Sequence, residues 1–313
     1  MALGFLWLVD AALQYQPYMF TKAFVTDTLE PTAAGNPLVV AHPINWAANV
    51  MVHHIVVYNA VFATIQLTIA VGLLLRRMVR AALAVSIAWS LAVWWLGEGL
   101  GGVLTGATNP FVGAPGAVIL YAFLALLAWP RPGDDPSLAD PALAGRARGD
   151  LHGRSVATTS ILGAQVARLA TLTLWGSFVY FTLQPVNRNN TSLGDMVTTM
   201  VGGEPAWVRS MDHHLGDALT GHGTVVAYLF VGLFAFAGLG CFVPRLVRGA
   251  VVVGVVVGVA IWILEDFGGI FTGKGTDPNS GLLVALVAAT FWPIRRSRSL
   301  GAASESVPDP AGG

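Results

Sequence analysis

Displaced by 168 residues, the chain pairs with itself. Leu6-Trp7 falls on Leu174-Trp175, Gln16-Pro17 on Gln184-Pro185, Asp27 on Asp195, Pro37 on Pro205, and His54 on His222. Gly72 then falls on Gly240, Arg77 and Arg80 on Arg245 and Arg248, and Trp94 on Trp262, all without a gap. The offset drops briefly to 167, pairing Glu98, Gly101-Gly102 and Thr105-Gly106 with Glu265, Gly268-Gly269 and Thr272-Gly273. It returns to 168 at Thr108/Thr276, Pro110/Pro278 and Gly113/Gly281. A period this long, held over so many residue types, predicts two copies of one structural unit.

Each copy carries four apolar runs. They lie near 2–19, 49–75, 81–97 and 114–129, then 165–184, 223–244, 249–264 and 281–294. A bilayer-crossing helix needs about 20 mostly apolar residues. With 55% hydrophobic and only 11% charged residues among 313, the chain cannot clothe an ordinary aqueous surface, for which about 25% charge is usual. The expected fold class is therefore all-α: a polytopic membrane protein of eight transmembrane helices, arranged as two parallel four-helix repeats. Four spans per repeat is an even number, so the copies share one orientation and a pseudo-two-fold axis along the membrane normal. The expected organisation is a first repeat over 1–130, a cytoplasmic linker over 131–164, a second repeat over 165–296, and a disordered cytoplasmic tail over 297–313.

Charge placement orients the bundle. Of the 17 basic residues, only Lys22, Arg188, Arg209 and Lys274 fall in the loops on one side; the rest fall on the other. That bias puts both termini in the cytoplasm. The first run lacks a basic leader, and Asp10 interrupts it, so it reads as a span and not a secretory signal. The Ala-rich, Arg-over-Lys composition resembles that of a high-GC bacterium, so the expected location is a bacterial plasma membrane.

Ionisable groups near membrane helix ends are the candidates for chemistry, because burying them is costly. From Arg77, His54 lies 23 residues back and Glu98 lies 21 forward; from Arg245, His222 and Glu265 repeat the pattern at 23 and 20. At about 1.5 Å per residue all four reach one level near the outer face. His53, His213 and His214 cluster at the same level. Imidazole and carboxylate ligands suit iron, copper, zinc or manganese, so His54, His222, Glu98, Glu265, His53, His213 and His214 form the expected metal site. The alternative is that these groups are polar packing copied with the repeat. The Gly-Gly-x-x-Thr-Gly loops likewise read either as tight turns or as backbone approaching a ligand. Asp10 faces Phe178 in the other copy and so stands outside the symmetric set, and the tryptophans read as an interface belt.

Much is excluded. One cysteine, Cys241, rules out a disulfide framework and a thiol redox pair. No phosphate-binding loop, dinucleotide fingerprint or nucleophile elbow occurs in a usable context, which leaves open whether the chain is an enzyme. Zero formal charge gives no basis for nucleic-acid binding.

The opening Leu3-Gly4-Phe5-Leu6-Trp7-Leu8-Val9-Asp10-Ala11-Ala12-Leu13-Gln14, followed by Pro17, resembles the first span of DoxX-like membrane proteins. Those are four-helix bundles, some linked to quinone redox work, so the resemblance implies a fused pair of such bundles. The expected function is an outward-facing His/Glu site that binds a metal ion or takes part in membrane redox chemistry, with the lipid bilayer and a quinone or another membrane subunit as partners. The alternatives are a small-solute transporter or channel along the pseudo-two-fold axis, and a non-catalytic complex subunit.

Overall fold

The computed structural model describes residues 1–131, 155–199 and 203–294. The chain is all-helical. Among the described residues there is no strand, only an isolated bridge between Pro130 and Ser160. The expected tail over 297–313 and residues 132–154 of the expected linker lie outside the described residues.

Eleven α-helices are described. They are α1 (Ala2–Gln14), α2 (Leu38–His53), α3 (Ile55–Leu74), α4 (Val79–Leu96) and α5 (Ala117–Ala128), then α6 (Gly163–Thr182), α7 (Ser192–Thr199), α8 (Ala206–Leu219), α9 (Gly223–Gly240), α10 (Val247–Leu264) and α11 (Asn279–Ala289). Four of them, α3, α4, α9 and α10, are long and apolar enough to cross a membrane. α1, α5 and α11 are apolar but shorter. The four long helices are apolar on both faces: Val56, Val61, Val85, Val225 and Val256 stand exposed while Ala63, Leu83, Phe234 and Ile261 are buried. A helix that is apolar all round suits lipid on one side and protein on the other.

Positions 168 residues apart make matching contacts at two places. A Cβ on Gly72 would lie 2.8 Å from that of Ala82, and one on Gly240 would lie 2.7 Å from that of Ala250. The helix pairs α3/α4 and α9/α10 thus approach closely through the same small residues. Trp7 donates its indole N–H to Ser86 Oγ at 3.0 Å. Trp175 packs its ring at Gly254, the residue matching Ser86, with Cζ2 3.1 Å from where a Cβ would stand. Trp7 and Trp175 are both about 1% exposed, so they are core residues and not part of an interface belt. Trp95 and Trp207 are exposed.

Two expectations about the spans are corrected. The run 49–75 is not one helix: His54, with φ −137° and ψ 37°, breaks it between α2 and α3. The stretches between expected spans, 20–48 and 185–222, are also largely helical, holding most of α2, α7, α8 and a π-helical turn at Phe24–Leu29. Their Pro-punctuated, mixed sequences carry no continuous apolar period, which hides short packed helices from a pattern search.

Candidate functional site

The loop after α4 begins with Glu98 and turns through four consecutive left-handed residues, Gly99, Leu100, Gly101 and Gly102, with φ from 56° to 67°. The loop after α10 repeats this with Asp266, Phe267, Gly268 and Gly269, φ from 52° to 72°. Glycine adopts this conformation freely and other residues at a cost, so paired glycines are required here. At Gly101 a Cβ would also fall 2.0 Å from the Pro115 carbonyl oxygen. The Gly-Gly-x-x-Thr-Gly motif is therefore a turn, closed by Thr105 and Thr272 donating their hydroxyls to the Gly102 and Gly269 carbonyls at 2.8 and 2.7 Å.

The turn returns the glutamate to the next helix. Glu98 accepts from the Val118 amide at 3.1 Å, at the start of α5. Glu265 accepts from the Gly281 amide at 3.0 Å and from the Ser280 hydroxyl, at the start of α11. A carboxylate at a helix N-terminus satisfies free amides and meets the positive end of the helix dipole. Burial pushes the Glu265 carboxyl up to about 8, against the pull of those donors. It raises Glu98 as well, with Asp277 adding to the rise.

The expected metal set is thus dispersed. His54 and His222 stand at the N-terminal ends of α3 and α9 without a side-chain capping hydrogen bond, and both are exposed, as are His53, His213 and His214. His53 Nδ1 pairs with the Asn49 carbonyl at 2.8 Å. Among the described residues no three of His, Cys, Asp and Glu converge as metal ligands.

What the fold does assemble is a cavity of about 750 Å³ among α1–α5, at the ends of α1, α3 and α4 remote from the arginine turn. Its wall is aromatic: Trp7, Phe24, Trp46, Tyr58, Phe62 and Trp89. Three carboxyl groups share it, Asp10, Glu98 and Asp277. Asp10, 3% exposed, accepts the Tyr121 hydroxyl at 2.6 Å. Gln14 lines the cavity too and pairs reciprocally with Asn59, which locks α1 to α3. Gln66 Oε1 and Trp89 Nε1 are buried with no partner, an acceptor and a donor on the same wall.

Asp277 comes from the second copy. Its Oδ1 accepts from the Asn279 amide at 2.7 Å, and Asn109, the matching residue, accepts from the Phe111 amide at 2.9 Å. The loop after α4 reaches the helices of the C-terminal half, and the loop after α10 reaches those of the N-terminal half. The second delivers Asp277 and Asn279 to the cavity. The first delivers Phe111, whose ring lies 4.7 Å from Phe230 and 6.3 Å from Phe234. Phe234 stands where Gln66 stands in the first copy, Phe178 where Asp10 stands, and Ala227 where Asn59 stands. Trp175, Phe178, Phe230, Phe234 and Phe111 form one continuous aromatic cluster, with centroids 4.7–6.3 Å apart. Cavity-lining positions of the N-terminal half thus correspond, 168 residues on, to a cluster of packed rings.

The sequence reading missed Asp277, Tyr121, Gln66 and the cavity itself, and left Asp10 outside its symmetric set. The signal was present in the differences between the copies, whereas the reading followed their identities. Comparison with known protein families, curated proteins and solved structures returns no match for this chain.

Proposed function

We propose that the protein is a multi-pass plasma-membrane protein of eight spans, built as two parallel four-helix bundles, whose first bundle binds an amphipathic, ring-bearing small organic molecule. In this reading the second bundle is a scaffold: its own site is closed by phenylalanines, and its loop completes the site of the first. The observation that carries it is the open, aromatic and carboxyl-lined cavity facing a filled counterpart at matching positions. Cavities of 300–1,000 Å³ with apolar walls and a few convergent polar groups are the usual form of a small-molecule site.

The positive-inside bias of the arginine turns places both termini in the cytoplasm and opens the cavity outward. The inner end of the first bundle is closely packed, with Gly4 against Leu73 and Leu74 and Gly72 against Ala82. That supports binding over a continuous channel. The four-helix unit fits the DoxX-like resemblance, and a quinone is one molecule of the proposed kind.

Gln66→Phe copies the second bundle's own residue into the cavity and is the specific control. Purified protein in nanodiscs is titrated with a short-chain quinone, tetraphenylphosphonium and a fatty-acid anion. Binding of the quinone, the cation or both, lost in Gln66→Phe, is the expected result. A panel in which no compound distinguishes wild type from Gln66→Phe overturns the reading.

A further inference from the structure

We infer that the molecule held in the cavity carries a positive charge: an ammonium, phosphonium or related organic cation flanked by aryl or branched alkyl groups. This rests on the reading of the cavity as a ligand site. Asp10, Glu98 and Asp277 lie on its wall, and among the described residues that wall contains no lysine, arginine or histidine. Three acidic groups in a low-dielectric space without a basic partner either keep their protons or ionise beside a bound cation, and the open volume has room for one.

The three acids are not interchangeable. Glu98 is spent on the start of α5. Asp10 is held from one side by Tyr121 and lines the cavity from α1. Asp277 enters from the other bundle, with Thr276 and Asn279 fixing its two oxygens. A cation between Asp10 and Asp277 is attracted from both bundles at once. The rings of Trp46, Tyr58, Phe62 and Trp89 offer the π faces that favour a desolvated cation with apolar substituents. An anion meets acidic side chains and no basic partner here.

The test compares tetraphenylphosphonium with triphenylphosphine oxide, a neutral molecule built from the same rings. The variants are Asp10→Asn with Asp277→Asn. Both amides keep an Oδ1 acceptor, for Tyr121 and for the Asn279 amide, and Asn109 already serves in the matching turn. The fold is therefore preserved, and thermal melting checks it. Wild type is expected to prefer the cation by about tenfold or more, and the double variant to lose that preference while holding the neutral compound within about twofold. Equal binding of both compounds by wild type, with no selective loss in the double variant, overturns the inference of charge and leaves the ligand site standing. Binding of neither compound overturns the inference of charge, and the ligand site falls with it only where the quinone also fails to bind or binds Gln66→Phe as well as wild type.

Discussion

Tyr121 on α5 donates its hydroxyl to Asp10 on α1 across 2.6 Å, with both side chains buried. The contact ties the last helix of the first bundle to its first and orients a carboxyl that lines the cavity. Tyr121→Phe keeps the ring packed on Trp7, whose centroid is 4.4 Å away, and removes only the donor. A buried acceptor left without its partner costs about 1–3 kcal/mol. The thermal midpoint is expected to fall, whereas Asp10→Asn, which keeps an acceptor, lowers it less. Equal midpoints for Tyr121→Phe and wild type would show that the hydrogen bond does not hold the bundle.

Phe111 is predicted to be the keystone of the closed bundle. It is 2% exposed and touches the rings of Phe230 and Phe234. Phe111→Ala leaves a cavity and costs about 3–5 kcal/mol, the usual penalty for truncating a buried phenylalanine. Differential scanning fluorimetry reads it as one of the larger losses of any single substitution. If Phe111→Ala melts with wild type, the aromatic cluster is not a packed plug.

The two left-handed turns predict contrasting glycine substitutions. Gly101→Ala demands both a positive φ and a Cβ 2.0 Å from a backbone oxygen, so little folded protein is expected. Gly106 also has a positive φ, 76°, but open space around it, and Gly106→Ala costs only about 1 kcal/mol. Monodisperse yield from gel filtration separates them; similar yields would contradict the turn geometry.

Stability is predicted to fall as pH rises. Glu204, Asp212 and Asp266 are buried together beside the second turn. Burial, then the charges of Asp212 and Glu204, push the Asp266 carboxyl from 3.8 up to about 7, and Glu265 reaches about 8. A folded pKa above the unfolded one means that the native state binds the proton more tightly. The contribution is full below the unfolded pKa values near 4 and is lost as pH rises through the folded values. Melting midpoints should decline between pH 4 and about 8, and Asp266→Asn, tolerated at φ 52°, should flatten the decline. A midpoint that climbs over this range contradicts the burial of these acids.

The account also assigns Glu98 and Glu265 to helix starts and leaves the histidines exposed. His54→Ala with His222→Ala is therefore expected to leave the iron, copper, zinc and manganese content of purified protein unchanged. Loss of a stoichiometric metal in that variant would return the site to the histidines.

Much of this architecture was legible in the sequence, and the reasons are particular. The α3–α4 and α9–α10 pairs announce themselves because apolar runs bounded by arginines have one physical solution in a membrane. His54, Glu98, His222 and Glu265, which the spacing from the arginine turns singles out, all flank helix ends. That spacing could not tell that two glutamates bend back onto amides while the imidazoles stay exposed, because that depends on a left-handed turn whose direction no spacing encodes. Asp277 was illegible for a further reason. It serves a cavity in the other bundle, 267 positions from Asp10 in the chain, and only the exchange of loops between bundles brings them to one wall. Phe178 and Phe234 read as ordinary core until they are set against Asp10 and Gln66.

The single measurement that bears most directly on this account is cysteine accessibility at two matching positions. With Cys241→Ser removing the native thiol, Gln66→Cys and Phe234→Cys are each exposed to a membrane-impermeant maleimide in nanodiscs. The account predicts that Gln66→Cys is labelled and is protected by bound tetraphenylphosphonium, while Phe234→Cys stays unlabelled. Equal labelling at both positions, or labelling of Phe234→Cys alone, would contradict a design of one open and one closed bundle.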